Sequence, residues 1–219
     1  MTKAIFCDFY GTVVFDDDEP IRLIAEKIYQ ASTSANKIEI AAFWWKRFLA
    51  LCNESFGSSF RTQRELELQS LAETLEKFHA RINAEKLSEP QFAYWKNPPI
   101  FSDSKIFFSK CQLPIFIVSN IDTADIEAAL DFHDLKPAGI ITSEEAKAYK
   151  PRREVFDLAL RKFGYKPEEV IHIGDSVASD VMGAKSAKIQ PIWINRKNKI
   201  KPPEVNKYTA NLIEILDIL

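Results

Sequence analysis

Two kinds of hydrophobic pattern divide this chain. Near its start, and again after residue 98, short apolar runs alternate with segments of helical spacing. Between Ile21 and Trp95, apolar residues instead recur three and four positions apart, which is typical of amphipathic helices. The sequence therefore predicts an α/β unit that is interrupted, after its first strand, by three or four helices.

The apolar runs predict the strands of the α/β unit. The first strand is expected over residues 3–9, and the later ones over Pro114–Val118, Gly139–Thr142, Val170–Ile173 and Pro191–Asn195. Helices are predicted between and after them, over Asp122–Phe132, Pro151–Phe163, Val177–Ala187 and Leu212–Leu219. Such alternation favours βαβ units, so we expect a parallel sheet in a Rossmann-like three-layer core.

The domain organisation follows from these two patterns. Residues 1–15 and 98–219 are predicted to form the α/β core, and residues 16–97 a helical cap. A cap inserted after the first strand would lie above the carboxyl edge of the sheet, where it could act as a lid. The aromatic pair Trp44 and Trp45 is expected to pack inside this cap.

Composition narrows the classes of partner. The chain has 219 residues and a formal net charge of −2, which gives no indication of a nucleic-acid or anionic-membrane partner. No apolar run approaches the roughly 18 residues of a membrane span, and a signal peptide is not apparent. Three widely spaced cysteines, without a C-x-x-C pair, suggest reduced thiols and a cytoplasmic protein. The oligomeric state is not readable from the sequence.

Two predicted strands end in a carboxylate. Asp8 follows the run Ala4–Cys7, and Asp175 follows Val170–Gly174. A single aspartate in this position is most often a helix cap or a turn residue. Two of them at the carboxyl edge of one parallel sheet, where such folds bind ligands, would instead form a site for a nucleophile and a divalent cation.

Four short motifs at predicted strand ends resemble the haloacid dehalogenase-like superfamily of aspartyl-nucleophile hydrolases. They are Asp8-x-Tyr10-Gly11-Thr12, Ser119-Asn120, Lys150-Pro151 and Gly174-Asp175-Ser176-x-x-x-Asp180. Each motif alone has an ordinary explanation, since Lys150 could be an exposed lysine before a helix and Ser119-Asn120 could cap one. Their order, spacing and strand context together carry the resemblance, and the helical insertion looks like that superfamily's first-position cap.

The resemblance implies a mechanism and a set of roles. Asp8 would be the nucleophile, Mg²⁺ would be held by Asp8, Asp175 and the backbone carbonyl of Tyr10, and Lys150 would supply positive charge. Other residues would bind the phosphoryl group (Thr12, Ser119, Asn120 and Lys150) or support the metal shell (Ser176 and Asp180). The expected substrate is a small phosphorylated molecule.

Tyr10 departs from the phosphatase pattern, because members with that activity usually carry an aspartate there as general acid and base. A phenol titrates near pH 10, so it is a poor base and a sluggish acid at neutrality. We therefore expect a phosphatase that favours good leaving groups. The alternatives are a 2-haloacid dehalogenase, which needs no such acid and would use an arginine such as Arg47 for the halide, and a weakly catalytic binding protein.

Substrate identity would depend on the cap. Six basic side chains there could contact an anionic substrate, although solvation on a helix surface is the commoner role for each: Lys27, Lys37, Lys46, Arg47, Arg61 and Arg64.

Overall fold

In the described residues, six strands form one sheet, and all of them pair in parallel. The computed structural model describes residues 1–16, 18–33 and 36–219. In these residues the strand order is β3-β2-β1-β4-β5-β6. The strands are β1 (Ala4–Cys7), β2 (Ile115–Ser119), β3 (Gly139–Thr142), β4 (Val170–Gly174), β5 (Gln190–Ile194) and β6 (Tyr208–Thr209). The predicted α/β class with a parallel sheet is confirmed.

Helices cover both faces of the sheet, as the three-layer prediction requires. Along β1, Ile5 and Cys7 belong to the apolar cluster on one face, whereas Ala4 and Phe6 belong to the cluster on the other. This alternation follows from the pleat of a strand whose two faces are both buried. The central strands β1 and β4 are neighbours, so their carboxyl ends lie side by side.

The helices that follow the insertion match their predicted spans only in part. They are α5 (Ser104–Lys110), α6 (Thr123–His133), α7 (Ser143–Ala146), α8 (Arg153–Phe163), α9 (Gly183–Ser186) and α10 (Ile213–Leu216), with a 3₁₀ turn at Pro167–Glu169. The spans of α6 and α8 agree with the prediction, α10 is shorter than predicted, and α5 and α7 were not predicted. Gly164 ends α8 with a φ of +76°, the left-handed conformation that favours glycine at this position. The predicted helix Val177–Ala187 is instead a π-helical segment, Val177–Met182, followed by α9.

The structure differs from the strand predictions at the end of β1 and in one additional strand, β6. The first strand ends at Cys7 and not at residue 9, because the Phe9 carbonyl accepts hydrogen bonds from the N–H groups of Thr12, Val13 and Val14, which turns the chain. Strand β6 was not predicted, since two residues are too few to show a period.

Four helices lie between β1 and α5 in the described residues: α1 (Asp18–Ala31), α2 (Lys37–Glu54), α3 (Gln63–Lys77) and α4 (Ala84–Lys96), with a 3₁₀ turn at Gly57–Ser59. They share an apolar cluster to which Ile28, Ile40, Trp44 and Leu71 contribute. Trp44 is buried as expected, but Trp45 is exposed, because one step along a helix turns the side chain by about 100°. The prediction that both tryptophans pack inside was therefore wrong for Trp45.

The chain enters the helical insertion after residue 15 and leaves it before residue 99, and these two connecting segments run side by side. Val14 forms an antiparallel bridge with Ile100, and the N–H of Phe15 donates to the Pro99 carbonyl at 2.9 Å. The division into a core of residues 1–15 and 98–219 and a cap of 16–97 stays a prediction. No helix in the described ranges has both the length and the apolar content that a bilayer crossing requires.

Candidate active site

Asp8 lies just beyond the end of β1, in the middle of the sheet edge. Its N–H donates to the Ile173 carbonyl at 2.8 Å, which continues the ladder with β4 and fixes the backbone. Its buried carboxylate accepts from the Thr12 hydroxyl at 3.1 Å and the Lys150 ammonium at 2.8 Å, and the Ser119 hydroxyl lies 3.4 Å away. Three of the four motifs therefore meet at one carboxylate.

Lys150 is a buried cation with three acceptors. Its Nζ donates to the Asp8 and Asp180 carboxylates at 2.8 and 2.6 Å and to the Val118 carbonyl at 2.9 Å. Burial would lower the pKa of this amine, but the Asp180 and Asp8 carboxylates raise it above its ordinary value. Lys150 is thus a permanent ammonium in the site and not an exposed lysine before a helix.

Asn120 holds the backbone of Lys150. Its side-chain oxygen accepts from the Lys150 N–H at 2.7 Å, and its side-chain nitrogen donates to the Lys150 carbonyl at 3.0 Å. The amide is therefore engaged by the chain itself. Direct contact between this side chain and a phosphoryl group stays a prediction.

Asp180 supports Lys150 from the far side. One of its oxygens accepts from Lys150 and from His172 Nε2, at 2.6 and 2.9 Å, and the other accepts from the Ser176 N–H at 3.0 Å. Burial would raise the pKa of this carboxyl, but Lys150 and His172 hold it below its ordinary value. With both oxygens engaged, Asp180 is suited to orienting other groups, which is the supporting role predicted for it.

Gly174 makes room for Asp180. A Cβ atom at position 174 would lie 2.2 Å from the Asp180 Cγ, which no real contact allows. Only glycine therefore lets the Asp180 side chain fold back over the end of β4. The π-helical winding of Val177–Met182 begins at the Ser176 cap, whose hydroxyl accepts from the Ser179 N–H at 3.1 Å.

Asp175 is the third carboxylate at this edge. Its backbone carbonyl accepts from the Trp193 indole at 2.7 Å. Gly11, with a φ of +82°, lets the chain pass close by, since a Cβ there would lie 2.7 Å from the Asp175 Cγ. Asp8, Asp175 and Asp180 each offer an oxygen, and these atoms lie within 4.8 Å of one another.

The charges of this cluster are unbalanced. When all are ionised, the three carboxylates face one ammonium, that of Lys150. Burial, and then repulsion by the Asp8 and Asp180 carboxylates, raises the pKa of Asp175 to about 8. Burial also raises the pKa of Asp8, against the opposing effect of Lys150. A carboxylate cluster with excess negative charge fits the hard oxygen ligation that Mg²⁺ prefers.

The hydroxyl of Tyr10 is hydrogen-bonded to the backbone of the helical insertion. The hydroxyl donates to the Trp95 carbonyl, in the last turn of α4, at 2.5 Å. Its oxygen is therefore tied to the helical insertion. The contribution of the Tyr10 carbonyl to a metal site stays a prediction.

A cavity of about 370 Å³ opens beside Gly11 and Asp175. Phe15 and Phe101 are stacked at its wall with ring centroids 3.9 Å apart. Basic side chains also line it, at Arg196, Lys197 and Lys199. The acidic edge of the site thus adjoins a space large enough for a small molecule.

Several basic residues of the insertion are engaged by its own carboxylates or by the core. Lys37 pairs with Glu26, Arg47 with Glu73, and Arg64 with Asp125, while Arg61 donates to Gln69. The guanidinium of Arg47, considered above as a halide ligand, is therefore paired with Glu73 in the neighbouring helix α3.

The sequence did not predict the contacts of two residues near the site, His172 and Asp122. His172, a buried residue of β4, was not among the predicted site residues, yet it donates to Asp180. Asp122 precedes the first residue of α6, but its side chain does not cap that helix and accepts instead from the N–H groups of Gln63 and Arg64 at the start of α3. The helix N-terminus of α3 attracts that carboxylate, and no local pattern predicts so distant a partner.

Comparisons with known proteins agree with this geometry. The sequence model of a haloacid dehalogenase-like hydrolase family matches residues 2–188. The chain is 33% identical over 119 residues to haloacid dehalogenase-like hydrolase domain-containing protein 3 of Danio rerio, covering 50% of this chain and 49% of that protein. It is 26% identical over 132 residues to a phosphoserine phosphatase of Thermus thermophilus, covering 56% of this chain and 51% of that protein.

The matched segments thus span about half the length of these curated relatives. Among solved structures, the L-2-haloacid dehalogenase of Xanthobacter autotrophicus superposes with a TM-score of 0.77 over 100% of this chain and 98% of that one, at 17% identity. This likeness concerns the fold alone.

Proposed function

The chain belongs to the haloacid dehalogenase-like hydrolase family, and from that premise we propose that it is a Mg²⁺-dependent phosphohydrolase with Asp8 as the nucleophile. The observation that carries the proposal is the cluster of Asp8, Asp175 and Asp180, in which Asp8 and Asp180 pair with the Lys150 ammonium. A nucleophilic carboxylate, a fixed ammonium and an excess of negative charge next to them are what phosphoryl transfer to an aspartate requires.

Asp8 performs the first displacement. One carboxylate oxygen attacks the phosphorus of the substrate, a new bond between that oxygen and phosphorus forms, and the bond to the leaving oxygen breaks with its electron pair. Water then attacks the phosphorus of the acyl phosphate, the bond to Asp8 breaks, and inorganic phosphate and a proton are released. Two steps with a good leaving carboxylate replace one difficult displacement by water.

The neighbours of Asp8 hold it and neutralise the incoming charge. Lys150, anchored by Asp180 and by Asn120, keeps its ammonium 2.8 Å from the Asp8 oxygen. Its raised pKa keeps it charged, so it acts through charge and not as a proton donor. The hydroxyls of Thr12 and Ser119, both beside Asp8, would donate to phosphoryl oxygens.

Asp8, Asp175 and the Tyr10 carbonyl would hold the Mg²⁺ ion. When bound, the ion would neutralise the negative charge shared by the nucleophile and the phosphoryl group. Asp180, whose oxygens are taken by Lys150, His172 and the Ser176 N–H, would orient this set without needing to bind the ion.

Tyr10 limits which substrates react well. The bond from its hydroxyl to the Trp95 carbonyl would have to break before it could protonate a leaving oxygen. Small phosphorylated molecules whose leaving group departs as a stable anion, such as acyl or aryl phosphates, would need no such proton. We expect residues 16–97 to act as the cap that selects among them.

A second candidate is 2-haloacid dehalogenation, which Tyr10 favours because halide leaves without a proton. Asp175 opposes it, since a second carboxylate beside Asp8 repels a carboxylate substrate. Arg47 opposes it as well, because its guanidinium is paired with Glu73. A protein that only binds its ligand is the third possibility.

The deciding experiment measures phosphate release from acetyl phosphate and from an alkyl phosphate, with Mg²⁺ and with a chelator. We expect Mg²⁺-dependent release, faster from acetyl phosphate, which Asp8→Asn abolishes while the exposed-site control Asp134→Asn does not. Chloride release from 2-chloropropionate in the presence of chelator would establish the dehalogenase instead. Neither product from any substrate would favour the binding protein.

A further inference from the structure

Helix α2 is apolar on two opposite sides. Ile40, Trp44 and Leu51 are buried against the other helices of the insertion. On the other side lie Ile38, Trp45 and Leu49, which are 78%, 54% and 42% exposed, and the exposed Ala42. We call these four residues, Ile38, Ala42, Trp45 and Leu49, the α2 stripe.

The α2 stripe follows the helix axis. Its members are spaced four, three and four residues apart, so at 100° per residue they fall within an arc of about 60° over three turns. Isolated exposed apolar residues are common on protein surfaces, but an aligned row that includes a tryptophan is typical of a helix that packs against another.

A second copy of the same helix fits this stripe. In an antiparallel pair centred between positions 43 and 44, Ile38 would face Leu49 of the partner subunit, and Ala42 would face Trp45 of the partner subunit. The largest side chain then meets the smallest one, in the alternation that packed helices need. Each contact occurs twice, as a twofold axis requires.

Charges beside the stripe support the same pairing. Glu39 and Lys46 are exposed, lie on one flank of the stripe, and are seven residues apart, which is too far for an ion pair within the helix. Neither takes part in a salt bridge within the described part of the chain. In the antiparallel arrangement each Glu39 would lie next to the partner's Lys46, whereas a parallel pair would not bring them together.

We propose that this protein forms a twofold symmetric dimer through the α2 stripes of two copies. The dimer is independent of the hydrolase chemistry, since no residue of the stripe belongs to the Asp8 site. It makes Trp45 the anchor of the interface, in keeping with the prominence of tryptophan among residues that dominate binding.

Sedimentation of the full chain over about 1 to 100 μM protein tests the dimer. We expect a dimer whose dissociation constant rises at least about 30-fold in Trp45→Glu, because a charge then replaces the central apolar contact. Phe132→Ser removes a similarly exposed aromatic residue from α6 and should leave the dimer intact.

A charge exchange tests the orientation. Lys46→Glu sets like charges against Glu39 twice and should weaken the dimer on the order of 10-fold. Glu39→Lys combined with Lys46→Glu restores opposite charges and should recover the original affinity, whereas Lys105→Glu in α5 should have no effect. Circular dichroism should show folded protein for every variant.

Three results would overturn the proposal. They are a monomer at every concentration, a dimer that is unaffected by Trp45→Glu, and a charge exchange that fails to recover the loss caused by Lys46→Glu. The last result, with Trp45→Glu still disruptive, would mean that the two helices do not pair in the antiparallel order.

Discussion

The hydroxyl of Tyr10 donates a hydrogen bond of 2.5 Å to the backbone carbonyl of Trp95. Tyr10 is two residues after the proposed nucleophile, and Trp95 lies in the last turn of α4, just before the chain returns to the core. The residue that replaces the usual acid therefore joins the nucleophile loop to the helical insertion. A position used elsewhere for proton transfer here serves a structural contact.

Replacing Tyr10 by aspartate should restore general acid catalysis. We expect Tyr10→Asp to raise Mg²⁺-dependent release of phosphate from an alkyl phosphate by about 10- to 100-fold, and to change release from acetyl phosphate much less. Tyr10→Phe, which removes the hydroxyl without supplying a carboxyl, is the matched control. An alkyl phosphate rate that stays at the wild-type level in Tyr10→Asp would show that protonation of the leaving group does not limit turnover.

Gly174→Ala should displace Asp180. The added Cβ would lie 2.2 Å from the Asp180 Cγ, so the carboxylate must leave Lys150. We expect a loss of about 3 kcal/mol or more in the free energy of unfolding, measured by urea denaturation, because a buried ammonium loses a partner.

The double variant Gly174→Ala with Asp180→Ser distinguishes this cause from a general packing defect. Since both changes remove the same contact, their effects should not add. Strict additivity would mean that the glycine serves some other purpose.

The ion pair between Arg64 and Asp125 should link the helical insertion to α6. Arg64 donates to the two oxygens of the buried Asp125 carboxylate at 2.7 and 2.5 Å. Arg64→Met leaves that carboxylate unpaired and should cost more stability than Asp125→Asn, which leaves a partly exposed arginine that can reach water. We expect a coupling of about 2 kcal/mol in the double-mutant cycle.

An exposed pair provides the comparison for that cycle. Arg153 and Asp157 form a similar two-bond contact on the surface of α8. Their cycle should give little or no coupling, because solvent screens both charges. Equal coupling for the two pairs would contradict a special role for Arg64.

The Asp175 carboxylate should destabilise the folded protein in the absence of Mg²⁺ and stabilise it when Mg²⁺ is bound. Because its pKa is raised to about 8, the folded protein disfavours its charge, and Asp175→Asn should raise the melting temperature in Mg²⁺-free buffer. Saturating Mg²⁺ should stabilise the native protein by about 2 to 3 kcal/mol at 100 times its dissociation constant, but should not stabilise Asp175→Asn. The exposed-site variant Asp131→Asn should respond to Mg²⁺ as the native protein does.

The sequence alone predicted the parts of the fold that have a local pattern. The core strands appear as apolar runs of at least four residues and the long helices as periodic patterns. Asp8, Ser119 and Asp175 lie at or just after strand ends that a parallel sheet brings to one edge, whereas Lys150 follows β3 only after the short helix α7. The four motifs, together with the resemblance, therefore predict one site, and the structure brings them together around Asp8 and Lys150.

Contacts between distant segments had no such pattern. Tyr10 finds its acceptor 85 residues away, and Asp122 accepts from Gln63 at a separation of 59. Trp44 and Trp45 are neighbours in one helix, so which of them is buried depends on how the helix is rotated about its axis, and the sequence does not give that rotation. His172 gave no signal, because its importance comes from Asp180, eight residues later, folding back over the strand.

Covalent capture of the phosphoryl group on Asp8 is the most direct test of the central claim. The protein is mixed with acetyl phosphate and Mg²⁺, quenched in acid within the first turnover, digested, and analysed by mass spectrometry. The account predicts one phosphoryl group on the peptide that contains Asp8, absent with chelator and absent in Asp8→Asn. A phosphoryl group on another residue, or phosphate release that persists in Asp8→Asn, would contradict it.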